Sequence, residues 1–101
     1  MKNLTGRSVN ANKIEGIITL TGKLFFYDDA FVFKADSVNS IINLPKVEYK
    51  RIVTVKRRRT LGIIPNGVIV ELDDKTTQIY VVNGRKAVIS YLTSKINSVK
   101  E

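Results

Sequence analysis

One stretch decides the fold class: LFFYDDAFVF at residues 24–33. Aromatic and β-branched residues favour strands, and here two such runs flank the pair Asp28-Asp29. Aspartate favours tight turns because its side chain can hydrogen-bond its own backbone. The stretch therefore predicts an antiparallel hairpin, with most of its aromatic side chains in the core.

Outside this hairpin the sequence predicts five further strands, at 13–20, 41–44, 52–58, 67–72 and 78–82. Gly22 is expected to end the first of them, and residues 46–49 and Pro65-Asn66-Gly67 are expected to form turns. Residues 1–12 are polar and are expected to be a flexible segment or an edge strand. A single domain is expected over 13–101.

The apolar period changes after residue 83. Val88, Tyr91, Leu92, Ile96 and Val99 recur at spacings of three and four, which predicts one amphipathic helix over about 84–99. Strands and helices do not alternate, so a parallel βαβ sheet is excluded. A sheet of this size must curl to bury one face. The predicted fold is mainly β: a barrel or sandwich of about seven antiparallel strands capped by one C-terminal α-helix.

Three stretches resemble GRAM-type pleckstrin-homology-like domains: the hairpin at 22–34, LGIIPNGVIVEL at 61–72 and YVVNGRK at 80–86. The likeness covers roughly 11–96 and departs at Ala30, often basic in that family, and at Val88, often aromatic. It implies a pleckstrin-homology-like barrel acting as a non-catalytic module that binds membrane lipids or proteins. The family's usual inositol-phosphate motif is missing, since residues 19–26 offer only Lys23.

Composition argues against catalysis. The 101 residues include neither cysteine nor histidine, which excludes thiolate zinc sites and histidine-based triads. The acid pairs Asp28-Asp29 and Asp73-Asp74 are interpreted as turn residues, not metal ligands. We therefore expect no enzyme activity, no metal site and no cofactor.

Positive charge is concentrated in one window. The chain has 17 Lys and Arg against 9 Asp and Glu, and seven basic residues lie between 46 and 59, where Glu48 is the only acid. The candidate anion- and lipid-binding residues are Lys50, Arg51, Lys56, Arg57, Arg58 and Arg59. Alternation along a strand sends neighbouring side chains to opposite faces. The basic run can therefore act as one surface only if the strand ends near Arg57, as the following loop favours, or if both faces are exposed there. The alternative is that these cations only protect a sheet edge from pairing.

The adjoining loop, predicted at 60–66, supplies Leu61, Ile63 and Ile64 as candidates for insertion into a membrane surface, although the core could bury them instead. The expected partner is an anionic lipid surface or a protein; weak nucleic-acid binding is a further alternative. We expect a monomer or weak dimer. No apolar run approaches the ~20 residues that span a bilayer, and no signal-peptide pattern follows Met1. The expected location is the cytoplasm, either free or at the membrane periphery.

Overall fold

A computed structural model describes residues 3–36, 46–60 and 64–99. Within them, seven antiparallel strands form one sheet in the order β4-β3-β2-β1-β7-β6-β5, curled into a nearly closed barrel with one C-terminal helix. The elements are β1 (Ser8–Glu15), β2 (Ile18–Phe26), β3 (Ala30–Ala35), β4 (Val47–Glu48), a 3₁₀ turn (Tyr49–Arg51), β5 (Ile52–Thr60), β6 (Ile64–Leu72), β7 (Thr77–Val82) and α1 (Arg85–Val99). The predicted mainly-β architecture is confirmed.

The hairpin that decides the fold class forms as expected. Phe26 pairs with Phe31 across β2 and β3, and the Tyr27 amide donates to the Ala30 carbonyl at 2.8 Å. Asp28 and Asp29 lie in the exposed turn between them. Three aromatic rings of this hairpin are buried, whereas Phe25 is half-buried and Tyr27 exposed.

The expectation for residues 1–12 is wrong at Ala11 and Asn12, which pair with strands on both sides, whereas Ser8, Val9 and Asn10 pair with β2. This strand lies between β2 and β7, and Ala11 pairs with both Gly22 and Val82. Its inward positions are Val9, Ala11 and Lys13, which give almost no apolar signature. β1 is held in the sheet by its pairing with β2 and β7 more than by apolar side chains of its own.

The predicted strand at 13–20 is also wrong, because the chain turns at Gly16-Ile17, where Gly16 has φ +60°. Gly22 does not end a strand; it lies inside β2 opposite Ala35. The predicted strand at 41–44 lies outside the described residues. A strand, β4, begins at Val47, where a turn was expected, because Phe31 of β3 pairs with it.

Pro65-Asn66-Gly67 does not form the predicted turn. Thr60 pairs with Ile64, so β5 continues two residues past the predicted end at Arg58 and β6 begins three residues before Gly67. β7 pairs with β6 only from Gly67 onward. A proline fits a strand where one side has no partner, because it cannot donate to a ladder.

Helix α1 covers the core with Val88, Tyr91, Leu92 and Ile96, all buried. Val99, expected in the same stripe, is exposed because it lies in the last turn. Aromatic rings join the helix to the sheet: Tyr91 meets Phe26 edge-on, with centroids 5.2 Å apart. The helix therefore closes the core as the sequence predicted.

A buried hydroxyl network ties the 3₁₀ turn and α1 to the β2–β3 hairpin. The Tyr49 hydroxyl donates to the Tyr27 carbonyl at 2.8 Å and lies 3.2 Å from the Tyr91 hydroxyl, which in turn lies 2.8 Å from Thr5 Oγ1. Burial raises the pKa of Tyr49 well above its usual value, with the Tyr91 hydrogen bond adding to the rise. Tyr49 is therefore a neutral donor at all ordinary pH values.

Tyr49→Phe should lower the free energy of unfolding by about 1–2 kcal/mol, because the Tyr27 carbonyl loses its shorter hydroxyl donor. Chemical denaturation measures the change. The matched control is Tyr27→Phe, which removes an exposed hydroxyl and keeps the accepting carbonyl. Equal effects in the two variants would contradict a role for the buried network.

Candidate anion-binding surfaces

The basic run of β5 is divided between two faces of the sheet. Lys56 pairs with Ile69 and Arg57 pairs with Val68. Directly opposed residues share a face, and Val68 is buried in the core. Arg57 therefore projects on the helix side and Lys56 on the outer side, and both are exposed. The strand does not end near Arg57, since β5 continues to Thr60. The other condition, exposure of both faces, holds at Lys56 and Arg57.

Two of the predicted candidates have acidic neighbours. Arg51 Nε lies 3.2 Å from Asp73 Oδ1, and a terminal guanidinium nitrogen lies 2.9 Å from Asp74 Oδ2. The bond to Asp73 raises the pKa of Arg51. Lys50 is highly exposed and lies 3.5 Å from Glu48. Arg51 is thus matched by local carboxylates, and the six candidates do not form one uncompensated patch.

The acid pair Asp73-Asp74 is a turn, as predicted. Asp74 Oδ1 accepts from the Thr76 amide at 3.0 Å and from the Thr76 hydroxyl at 2.6 Å. These bonds lower the pKa of Asp74. Within the ranges 3–36, 46–60 and 64–99, no group of three or more acidic side chains is placed to hold a metal.

The remaining candidates lie around the β5–β6 connection. The backbone of Arg58 pairs with Gly67, and Arg59 lies at an irregularity in the same ladder. Ile64 is the first residue of β6, so it belongs to a strand and not to the predicted loop. Leu61 and Ile63 lie outside the described residues.

The outer face of the sheet carries an apolar row that the sequence interpretation missed. Ile14 pairs with Ile79, Ile79 with Ile69, and Ile69 with Lys56. We call Ile14, Ile79 and Ile69 the isoleucine row; each is partly exposed. The three isoleucines come together only through pairing between strands that are distant in sequence. Alternation along β6 had indicated only that Ile69 faces away from Val68 and Val70.

The β1–β2 turn presents Ile17 at its tip, whereas Ile18 alternates with Thr19 and lies on the core-facing side of β2. Ile17 is completely exposed and Ile18 more than half exposed. The turn adjoins the isoleucine row, because Ile14 pairs with Thr19. The sequence interpretation placed Ile17 inside a strand, but the chain turns at Gly16, which has a positive φ, and Ile17 lies at the tip; Ile18 begins β2.

A groove of about 650 Å³ runs along the other side, between β5 and α1. Its lining residues are Arg57, Lys86, Ile89, Ser90, Thr93, Ser94, Asn97 and Ser98. None of these is acidic, and α1 contains no Asp or Glu from Arg85 to Val99. The groove therefore combines two cations with hydroxyl, amide and apolar lining.

Lys13 is the buried charged residue of the described core. It faces inward from β1, with Nζ 5.8 Å from the centroid of the Tyr80 ring. Burial lowers the pKa of Lys13. Among the described residues, no helix is long and apolar enough to cross a bilayer.

Comparison with known proteins supports the fold and no more. No family model and no curated protein matches the chain. Solved structures that share the architecture include the C-terminal domain of an unknown protein from Leishmania infantum, with 20% sequence identity and a TM-score of 0.76 over 88% of this chain and 80% of that one. At that identity the likeness shows the fold alone, so GRAM membership stays a prediction.

Proposed function

We propose that the protein is a non-catalytic, GRAM-type interaction module recruited to anionic membrane surfaces. The observation that carries the proposal is the register Ile14–Ile79–Ile69–Lys56, which places a cation at the end of an exposed apolar row. Both kinds of side chain favour binding to an anionic membrane. A lysine near the surface contributes about 1 kcal/mol of binding free energy, and apolar groups insert at the boundary between head groups and acyl chains.

The β1–β2 tip extends the same surface. Ile17 is completely exposed, which is unusual for a large apolar side chain beside an apolar row. In this proposal Ile17 joins Leu61, Ile63 and Ile64, the candidates from the sequence interpretation, as a side chain for insertion. The net charge of +8 adds a long-range attraction to anionic surfaces.

A protein partner is the second candidate function. Strand β5 ends the sheet order and, in the described part of the chain, pairs with β6 alone. Such an edge can accept a strand from another chain. Nucleic-acid binding has less support, because stacking on bases needs exposed aromatic rings and most rings here are buried.

Sedimentation with phosphatidylserine-containing vesicles tests the membrane proposal. Ile17→Ser should weaken binding about fivefold, for a loss of about 1 kcal/mol of apolar transfer. Lys56→Glu should weaken it roughly tenfold or more, because the charge is reversed. Neither change should lower the melting temperature appreciably, since both side chains are exposed.

Matched controls are Val53→Ser, an exposed apolar residue outside the isoleucine row, and Lys46→Glu, an exposed cation before β4. Both should bind nearly as the unaltered protein does. Wild-type protein that stays in solution with these vesicles at low salt would contradict the membrane proposal and favour the sheet-edge alternative.

A further inference from the structure

We propose that the groove between β5 and α1 is a site for a small phosphorylated ligand, with Arg57 and Lys86 holding the phosphate group. This inference goes beyond the membrane proposal and does not rest on it, because no residue of the isoleucine row lines the groove. The division of the basic run between two faces gives the molecule two separate surfaces.

The two cations come from different elements. Arg57 is aimed to the helix side by its pairing with Val68, and Lys86 lies in the first turn of α1. Both are exposed, and within the described part of the chain neither forms an ion pair. Arginine offers a planar fork that matches two phosphate oxygens, and lysine adds a compact charge.

The rest of the lining suits a hydroxylated body attached to that phosphate. Four hydroxyls and one amide line the groove, from Ser90, Thr93, Ser94, Ser98 and Asn97. Each of these groups can both donate and accept hydrogen bonds, as the hydroxyls of a sugar or glycerol do. The groove is open to solvent, so a ligand bound there would keep one side in water.

Electrostatics selects an anion. Between Arg85 and Val99, α1 has three basic residues and no acidic one; Lys95, which does not line the groove, lies 3.9 Å from Asp28. The local potential is therefore positive along the groove. The shared chemistry is a phosphomonoester on a hydroxylated carrier, either a free sugar phosphate or the head group of a lipid such as phosphatidic acid.

Backbone amide NMR titration with glucose 6-phosphate is the first arm of the test. Saturable shifts should appear for Arg57, Lys86, Ser90 and Thr93, and glucose or inorganic sulfate at equal concentration should give much smaller ones. The double variant Arg57→Gln with Lys86→Gln should weaken binding at least tenfold. The matched control Lys46→Gln removes a cation outside the groove and should leave binding unchanged.

Vesicles form the second arm and distinguish the two sources. If phosphatidic acid vesicles bind the wild type, release it on adding glucose 6-phosphate and fail to bind the double variant, the source is a lipid head group. If only the soluble sugar phosphate binds, the source is a free metabolite; either result supports the groove. Shifts that do not saturate, that sulfate reproduces, or that persist in the double variant would overturn it.

The vesicle test of the membrane proposal is read separately. Ile17→Ser should leave the glucose 6-phosphate titration unchanged, since Ile17 does not line the groove. If glucose 6-phosphate does not bind but phosphatidylserine vesicles do, the groove proposal is wrong. If glucose 6-phosphate binds but the vesicles do not, the membrane proposal is wrong.

Discussion

The Leu92→Asp variant is expected to lose its cooperative unfolding transition. Leu92 is 1% exposed and lies on the face of α1 that covers the sheet. The substitution creates a cavity and places a carboxylate in an apolar environment. The combined loss is about 4–5 kcal/mol, comparable to the total stability of many small domains. Thermal unfolding followed by circular dichroism measures it.

Val99→Asp is the matched control, because it places the same charge on the same helix at an exposed position. The negative charge lies at the C-terminal end of the helix, so a loss of about 0.5 kcal/mol is expected from the helix dipole. If the Leu92 variant melted as sharply and as high as this control, α1 would not be closing the core.

The second large effect is expected from Gly22→Ala. A methyl group at this position would collide with the Lys34 carbonyl oxygen and would lie 2.8 Å from the Ala35 Cα. Both obstacles are backbone atoms of β3, so no side chain can move aside. The hairpin must separate locally, and we expect a loss of at least about 3 kcal/mol. Urea denaturation measures the free energy of unfolding.

Gly16→Ala isolates the steric part of this effect. Gly16 has φ +60°, yet nothing lies within 4 Å of a methyl group built there. Alanine should cost only about 1–2 kcal/mol, for the left-handed backbone alone. A larger loss at Gly16 than at Gly22 would contradict the close approach between β2 and β3.

Much of the fold could be predicted because local signals agree with the final structure. The side chains of three elements specify them locally: the LFFYDDAFVF hairpin, strand β7 and the apolar stripe of α1. β1 could not be found in this way, since its inward positions include Ala11 and a buried Lys13. Gly22 was interpreted as the end of a strand because glycine is favoured both at strand ends and where two strands approach closely, as β2 and β3 do here.

The candidate site was predicted less well for a related reason. Sequence identifies that charge is concentrated near Arg57, but only the β5–β6 register decides which face each side chain takes. The acids that match Arg51 lie in a turn after β6, beyond the reach of local patterns. The isoleucine row and the groove both join elements distant in the chain.

The position of β1 also dictates when the barrel can close during synthesis. Ala11 is synthesised well before Val82, which is one of its two partners and lies in β7. The β1–β2–β3 meander can assemble first from local contacts, whereas the β1–β7 pairing must wait until β7 has been made. Until then the β7-facing edge of β1 is open. Its polar residues Asn10 and Asn12 make that waiting edge less prone to aggregate than an apolar strand would be.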